Sequence, residues 1–243
     1  MGRIFVGTAG WCIPRASAHR FDGDGTHLRR YARVLGCAEI NSSFHRPHAR
    51  ETCAKWAAST PPGFRFAVKL PRTITHDQRL RRARQPLERF LMESAGLGRK
   101  RGPLLVQLPP SLDLEKRAAT TFLALLREAY RGAVACEPRH ESWFSAAADD
   151  LLVTYRVARV AADPPPATGA AHPAGWSGLI YLRLHGSPRK YWSPYSTGYI
   201  ENVARTLRSA PPRADAWCVF DNTASGAALE NAWELQTGTA VTS

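Results

Sequence analysis

Eight short apolar runs, rich in β-branched and aromatic residues, alternate along the chain with longer amphipathic stretches. This alternation is typical of successive βα units, whose strands pair in parallel. The predicted strands lie at residues 4–8, 37–42, 65–70, 104–108, 133–137, 158–162, 179–184 and 216–220. The predicted helices lie at residues 26–35, 51–59, 84–95, 114–130, 146–155, 199–209 and 227–235. The sequence therefore predicts an α/β fold.

Eight strands with intervening helices fit a closed (β/α)8 TIM-type barrel better than an open sheet. A doubly wound sheet stays open as the alternative, although no G-x-G-x-x-G motif follows the first strand. Residues 164–178 are rich in Pro and Gly, so the barrel is expected to be slightly irregular, with a loop in place of the sixth helix. Because no stretch of the sequence resembles a domain linker, residues 1–243 are predicted to form a single domain.

The chain shows no readable signal peptide and no apolar run near the roughly 20 residues that a membrane helix needs. We therefore expect a cytoplasmic protein without membrane association. Its cysteines are widely spaced and form no C-x-x-C pair, which favours buried thiols over a zinc or redox site. They are Cys12, Cys37, Cys53, Cys136 and Cys218.

The formal net charge is +13 and the pI is about 10.1. Such a charge indicates a polyanionic partner, nucleic acid among them, because Lys and Arg release counterions from phosphates. The competing interpretation is compositional bias, since only five of the 33 basic residues are Lys. The densest cluster, Arg79 to Arg84, is interpreted as a solvated helix face.

Polar residues end the predicted strands, and the carboxyl ends of barrel strands form the usual active-site face. The second strand ends in EINSSFHRP, where alternation places Glu39 and Asn41 on one face. A buried carboxylate needs a cation or a donor, and Lys69 at the end of the third strand is the expected partner of Glu39. Glu39 is either catalytic or half of an internal ion pair.

The fifth strand ends in CEPRHESW, the densest polar constellation of the chain. Glu137, Arg139 and His140 suit the roles of base, anion clamp and proton shuttle. The alternative is an ion pair of Arg139 that locks a loop. The other strands end in Gln107, Asp163, Arg183, His185, Asp221 and Asn222.

Two further features bear on ligands. Carboxylates and an imidazole from several strands would suit a divalent metal, but without a close His pair we expect no metal. The candidate ligands are Glu39, Glu137, Asp163, His185 and Asp221. A loop at residues 187–197 places Tyr191, Trp192 and Tyr195 beside Arg189 and Lys190, either to bind a ligand or to cover the barrel mouth.

Several motifs occur in order from Gly7 to about Leu235: GTAGW, YARVLGCAEINSSFHRP, FAVKLPRTITH, GPLLVQLPPS, CEPRHESW, YLRLHG and FDNTASGAALENA. Together they resemble the YecE-like family, grouped as domain of unknown function 72. The resemblance implies a (β/α)8 barrel and no established activity. This sequence departs from the family pattern after Trp11 and at Asp221, a position where members of the family often have Asn. The matching motif positions are Glu39, Asn41, Lys69, Gln107, Glu137, Arg139, His140, Arg183, His185 and Asn222.

We favour an enzyme that acts on a phosphorylated or other small anionic substrate at the barrel mouth. The candidate catalytic residues are Glu39, Glu137, His140 and His185, and the candidate substrate-binding residues are Asn41, Lys69, Gln107, Arg139, Arg183 and Asn222. A Glu137→Gln change is expected to abolish activity with little loss of thermal stability. The alternatives are a nucleic-acid or nucleotide-binding protein without catalysis and a metal-dependent phosphoesterase or nuclease. The sequence indicates neither a cofactor nor an oligomeric state.

Overall fold

The computed structural model describes residues 2–240, in which ten strands form one sheet. The strands are β1 (Ile4–Ala9), β2 (Cys37–Ile40), β3 (Arg65–Lys69), β4 (Arg101–Gln107), β5 (Val134–Glu137), β6 (Ala158–Arg159), β7 (Ala161–Asp163), β8 (Ala174–Gly175), β9 (Leu179–Leu184) and β10 (Asp215–Phe220). Their spatial order is β7-β9-β10-β1-β2-β3-β4-β5-β6-β8. Every pairing is parallel except the one between β6 and β8.

The sheet curls into a nearly closed barrel because the short strands before and after Val160 pair with strands from opposite ends of the sheet. β6 pairs with β5, β7 pairs with β9, and Val160 separates β6 from β7. The Val160 amide donates to the carbonyl of Cys136 at 2.8 Å, which keeps this junction tied to β5. The sixth predicted strand is thus present as two short pieces, and each of the other seven overlaps an observed strand.

Within residues 2–240, seven α-helices lie between or after the strands, one for each helical stretch that the sequence predicts. They are α1 (His27–Val34), α2 (Arg50–Ala58), α3 (Arg84–Ser94), α4 (Lys116–Ala129), α5 (Ala146–Thr154), α6 (Thr197–Arg208) and α7 (Ala227–Ala240). Residues 164–178 hold turns and β8 instead of a helix. Three consecutive prolines open this segment and remove backbone donors that a helix would need. Over residues 2–240, no helix combines the length and apolarity needed to cross a membrane.

Among the described residues, two apolar clusters hold the fold together. The larger one packs the helices on the outer face of the sheet. The smaller one contains Phe5, Tyr181 and Trp217, with the small side chains of Cys37 and Ala67, at alternate strand positions. Because side chains alternate along a strand, these residues share the inner face of the barrel. The Trp217 ring lies 4.7 Å from that of Phe5 and stacks on Tyr181 at 6.1 Å, so aromatic rings fill the inside of the barrel.

Candidate functional site

The period of two along each strand explains why polar side chains gather at one end of the barrel. Two positions after the inward-facing Ala67 and Ala135 come Lys69 and Glu137, at the carboxyl ends of β3 and β5. Their side chains therefore face inward as well. All the inward-facing charged residues described below are buried. The inside of the barrel changes from apolar to charged toward this end, which we call the mouth.

Arg183 is the centre of the charged mouth. Its side chain is 1% exposed, and its Nη2 lies 2.7 Å from Glu39 Oε1 and 3.1 Å from Asp221 Oδ2. Its Nη1 lies 3.0 Å from Glu137 Oε2. Burial lowers the pKa of Arg183, but the three carboxylates outweigh burial and raise that pKa well above its usual value. One guanidinium thus holds three carboxylates from three other strands or strand ends.

His185 lies between two of these carboxylates. Its Nε2 is 2.8 Å from Glu137 Oε1, and its Nδ1 is 3.0 Å from Asp221 Oδ2. Burial raises the pKa of Glu137, but the charges of Arg183 and His185 outweigh burial and hold that pKa well below its usual value. The pKa of Asp221 is lowered in the same way. His185 thus bridges Glu137 and Asp221 through its two ring nitrogens.

The expected pairing of Glu39 with Lys69 is wrong. Glu39 is bound by Arg183, and its Oε2 also accepts a hydrogen bond from the Tyr181 hydroxyl at 3.0 Å. The planar guanidinium offers several donors in a fixed fork, which an ammonium group does not. From the sequence, Tyr181 was not identified as a site residue, because a tyrosine within an apolar strand resembles an ordinary core residue. Its spacing of two from Arg183 is the signal that places both side chains on the inner face.

Lys69 is left without a carboxylate partner. Its ammonium group lies 4.1 Å from the centre of the Phe44 ring, and the residue is 6% exposed. Among the buried charged side chains of residues 2–240, it alone forms no ion pair within 4 Å. Burial and the nearby charge of Arg183 lower the pKa of Lys69 from 10.5 to about 8, with the three carboxylates opposing that change.

The loop after β9 covers part of the mouth. Tyr191 places its ring 5.4 Å from the ring of His185 and accepts a hydrogen bond from Arg139 at 3.3 Å. Arg139 also reaches Glu137 at 3.4 Å, while its buried Nε finds no partner among the described residues. Gly186 begins the loop with a φ of +91°, a conformation that favours glycine.

The aromatic residues of this loop differ in burial and in their contacts. Tyr195 is buried, and its hydroxyl donates to the Asp163 carboxylate at 2.8 Å and accepts from the Gly186 amide. Trp192 is exposed and lies 4.5 Å below the guanidinium of Arg189. Tyr195 therefore anchors the loop, and only its neighbours Tyr191 and Trp192 present rings to solvent.

Two predicted substrate contacts bind other parts of the protein. Gln107 donates from its Nε2 to Glu137 Oε2 at 2.9 Å, which helps to fix that carboxylate. Asn222 donates to the carbonyl of Ser193 at 2.9 Å and to Asn231 on α7, so it ties the loop after β9 to a helix. Both side chains are buried.

His140 and Asn41 lie outside the charged cluster. His140 accepts a hydrogen bond at Nδ1 from the amide of Ser142, at the start of a short 3-10 helix after β5. Asn41 follows the last residue of β2 with helical backbone angles, so the strand alternation stops before it. It lines an open depression of about 490 Å³ together with Gly10 and Glu39.

The structure divides the residues that the sequence suggested as metal ligands, because only Asp163 lies apart from the cluster around Arg183 and His185. Asp163 binds Tyr195, whereas Glu39 and Asp221 surround Arg183. Within residues 2–240, no three His, Cys, Asp or Glu side chains are grouped so as to hold a metal ion. The guanidinium of Arg183, and no group of free ligands, lies between Glu39, Glu137 and Asp221 among the described residues.

The fold and the mouth define an α/β barrel protein with a buried charge cluster at the carboxyl ends of its strands. The family model described as "Protein of unknown function DUF72" matches residues 5–242, and the chain belongs to this family. The resemblance inferred from the motifs is thereby confirmed.

Comparison with individual proteins agrees with this assignment. The chain is 29% identical over 143 residues to the UPF0759 protein YecE of Escherichia coli (strain K12), a match that covers 58% of this chain and 50% of that protein. The chain thus spans about half the length of the curated relatives it matches.

Two solved structures show the same fold. A DUF72 family protein (EF0366) of Enterococcus faecalis V583 has a TM-score of 0.80 and 20% identity, covering 99% of this chain and 96% of that one. A DUF72 family protein (TM1631) of Thermotoga maritima MSB8 has a TM-score of 0.78 and 22% identity, covering 97% of this chain and 98% of that one. Neither description states an activity.

Proposed function

We propose that this protein is an enzyme that carries out acid–base chemistry on a small anionic substrate at the barrel mouth, with Lys69 as the group that exchanges a proton. The observation that carries the proposal is the unpaired, buried Lys69 ammonium beside a fully paired charge cluster. A lysine with a pKa of about 8 exists in both protonation states near neutral pH. That property suits a general acid or base.

The residues of the charge cluster are better suited to supply a fixed electrostatic environment than to exchange protons with a substrate. Glu137 accepts hydrogen bonds from Gln107, Arg183 and His185, and its low pKa keeps it ionised at neutral pH. Both nitrogens of His185 face carboxylates, which leaves neither free for a substrate. We therefore assign Glu39, Glu137, Arg183 and His185 the role of a fixed electrostatic frame, in place of the catalytic and anion-binding roles first considered.

Positive charges at the rim of the mouth support the assignment of an anionic substrate. Lys69 and Arg139 lie beside the cluster, and Lys190 lies above it on the loop after β9, 5.3 Å from the Tyr191 ring. Arg139 still has an unsatisfied buried Nε, and its guanidinium fork suits a carboxylate or phosphate. We assign Arg139 and Lys190 to substrate binding, with Tyr191 closing over the bound group.

We also propose that the barrel is an eight-fold (β/α)8 barrel in which β6 and β7 are one strand interrupted at Val160. Under this description β8 is an addition to the barrel, and the mouth corresponds to the catalytic face of such folds. The position of the charged residues at the carboxyl ends of β2, β3, β5, β9 and β10 supports this description.

The test is comparative profiling of small metabolites by mass spectrometry. A cell extract freed of macromolecules is incubated with wild-type protein, with Lys69→Met, or with Lys116→Met, a matched change on an exposed part of α4. We expect wild type and Lys116→Met to consume at least one anionic compound and Lys69→Met to leave it unchanged. A Lys69→Arg variant should be inactive too, because Arg keeps the charge but does not release a proton.

Two results would refute the proposal. Consumption that persists in Lys69→Met would exclude Lys69 as the reacting group. Retention of an anionic compound on the protein without any chemical change would identify a binding protein, the alternative considered from the net charge. For an active wild type, Arg139→Gln should raise KM with a smaller effect on kcat, because that residue is assigned to substrate binding.

A further inference from the structure

A second depression lies at the opposite end of the barrel, where the strands begin. It has a volume of about 620 Å³ and is lined by eight arginines and one carboxylate, that of Asp215. Seven of the eight come from positions at or just before the start of a strand, such as Arg3 before β1, Arg65 on β3 and Arg213 before β10, and the eighth, Arg127, lies on α4. They therefore encircle the barrel axis.

These arginines differ from the other surface arginines in their partners. Within residues 2–240, none of the eight forms an ion pair within 4 Å, whereas Arg84 and Arg89 on α3 both pair with glutamates. Some are anchored by backbone carbonyls: Arg127, for example, donates to that of Gly132 at 2.7 Å. Exposed members such as Arg131 and Arg213 make no such contact among the described residues. Uncompensated positive charge is concentrated here.

The depression has an apolar floor and wall. Phe5 and Trp217 close its base and separate it from the inside of the barrel. Trp176 forms part of the wall and is half-buried, which leaves an aromatic surface open to a ligand. A volume of about 620 Å³ lies within the range of roughly 300–1,000 Å³ typical of small-molecule sites.

We propose that this depression binds a nucleoside polyphosphate, with its phosphates on the exposed arginines and its base against Trp176. Arginine forks bind phosphate oxygens in pairs, and several neighbouring arginines suit a chain of phosphates. The aromatic wall suits a flat heterocycle. A ring of charge around a depression of this volume fits a compact ligand better than a nucleic-acid strand, which extends along a groove.

The experiment is isothermal titration calorimetry of the full chain with ATP, inorganic tripolyphosphate, adenosine and the oligonucleotide dT12 at physiological salt. ATP should bind more tightly than tripolyphosphate, and adenosine should bind weakly or not at all. Arg131→Gln combined with Arg213→Gln should raise the Kd for ATP about tenfold or more, because hydrogen bonds to charged groups are strong. The matched control, Arg84→Gln with Arg89→Gln, removes the same charge from α3 and should leave the Kd unchanged.

Trp176→Leu keeps an apolar side chain in the wall and should reduce ATP affinity to that of tripolyphosphate. A shift of the Trp176 indole N–H resonance on adding ATP gives a second readout that needs no substitution. Equal affinity for ATP and tripolyphosphate, an equal loss in the control variant, or no binding of ATP would each overturn the proposal. Tighter binding of dT12 with a steep salt dependence would assign the site to single-stranded nucleic acid instead.

Discussion

Replacing Lys69 by Met should stabilise the protein at neutral pH. The pKa of Lys69 falls from 10.5 to about 8, so folding disfavours the charged form. At about 1.4 kcal/mol per pH unit, the burial of that charge costs about 3 kcal/mol at pH 7. Loss of the cation–π contact with Phe44 offsets about 1 kcal/mol of this gain. The expected increase in the free energy of unfolding at pH 7 is therefore about 2 kcal/mol.

The pH dependence provides the sharper test. A lowered pKa in the folded protein means that the unfolded chain binds more protons between pH 8 and 10.5, so the contribution of Lys69 to stability grows as pH rises. This contribution is complete above the unfolded pKa and is lost as pH falls through 8. Between pH 7 and 9.5 wild type should gain about 2 kcal/mol relative to Lys69→Met.

Urea denaturation of both proteins at half-unit steps of pH measures this difference directly. Tyr31 and Cys37, whose pKa values burial raises, also change the stability of the protein at high pH. They are present in both proteins, so their contributions cancel in the comparison. A stability difference that stays constant from pH 7 to 9.5, or a less stable Lys69→Met at pH 7, would show that Lys69 is held as a charged partner of the carboxylates.

Substitutions at the mouth and changes of pH should alter the free energy of unfolding. Glu137→Gln should lower the free energy of unfolding in urea by about 3–5 kcal/mol, contrary to the small change expected from sequence, because it leaves the buried Arg183 short of a partner. Arg139→Gln should cost less than about 1 kcal/mol, since Arg139 is partly exposed and its contact with Glu137 is long. Gly186→Ala should cost roughly 1–3 kcal/mol in the same assay, because its φ is +91° and a Cβ would lie 2.7 Å from a backbone oxygen. Acid titration should show stability lost progressively as pH falls below about 5, because the folded pKa values of Glu137 and Asp221 are lowered below those of the unfolded chain, and stability that stays constant down to about pH 3 would contradict those shifts.

Local patterns were enough to predict most of the fold. The alternation of apolar runs and amphipathic stretches located all seven helices and eight strand positions, and the prolines of residues 164–166 explained the missing helix. The interruption at Val160 was not predictable, because it depends on how β5 and β9 meet on either side of one strand.

The inward direction of the polar strand ends follows from sequence alone. A period of two places Glu39, Lys69, Gln107 and Glu137 on the inner face once the strands are located. Sequence also indicated a buried carboxylate that needs a cation. It pointed to the wrong cation, Lys69, because Lys69 and Arg183 both end strands whose side chains face inward and the periodicity does not distinguish them.

Only the tertiary structure decided that choice. Arg183 lies 144 residues from Glu39 in the chain, yet curvature of the sheet brings their side chains to 2.7 Å across the barrel. Its fork reaches three carboxylates at once, and this leaves Lys69 against Phe44 without an ion pair. Sequence thus determined which residues face the mouth, through a periodicity confined to each strand. Their pairing depends on the angular positions of different strands and on side-chain reach, which no single strand encodes.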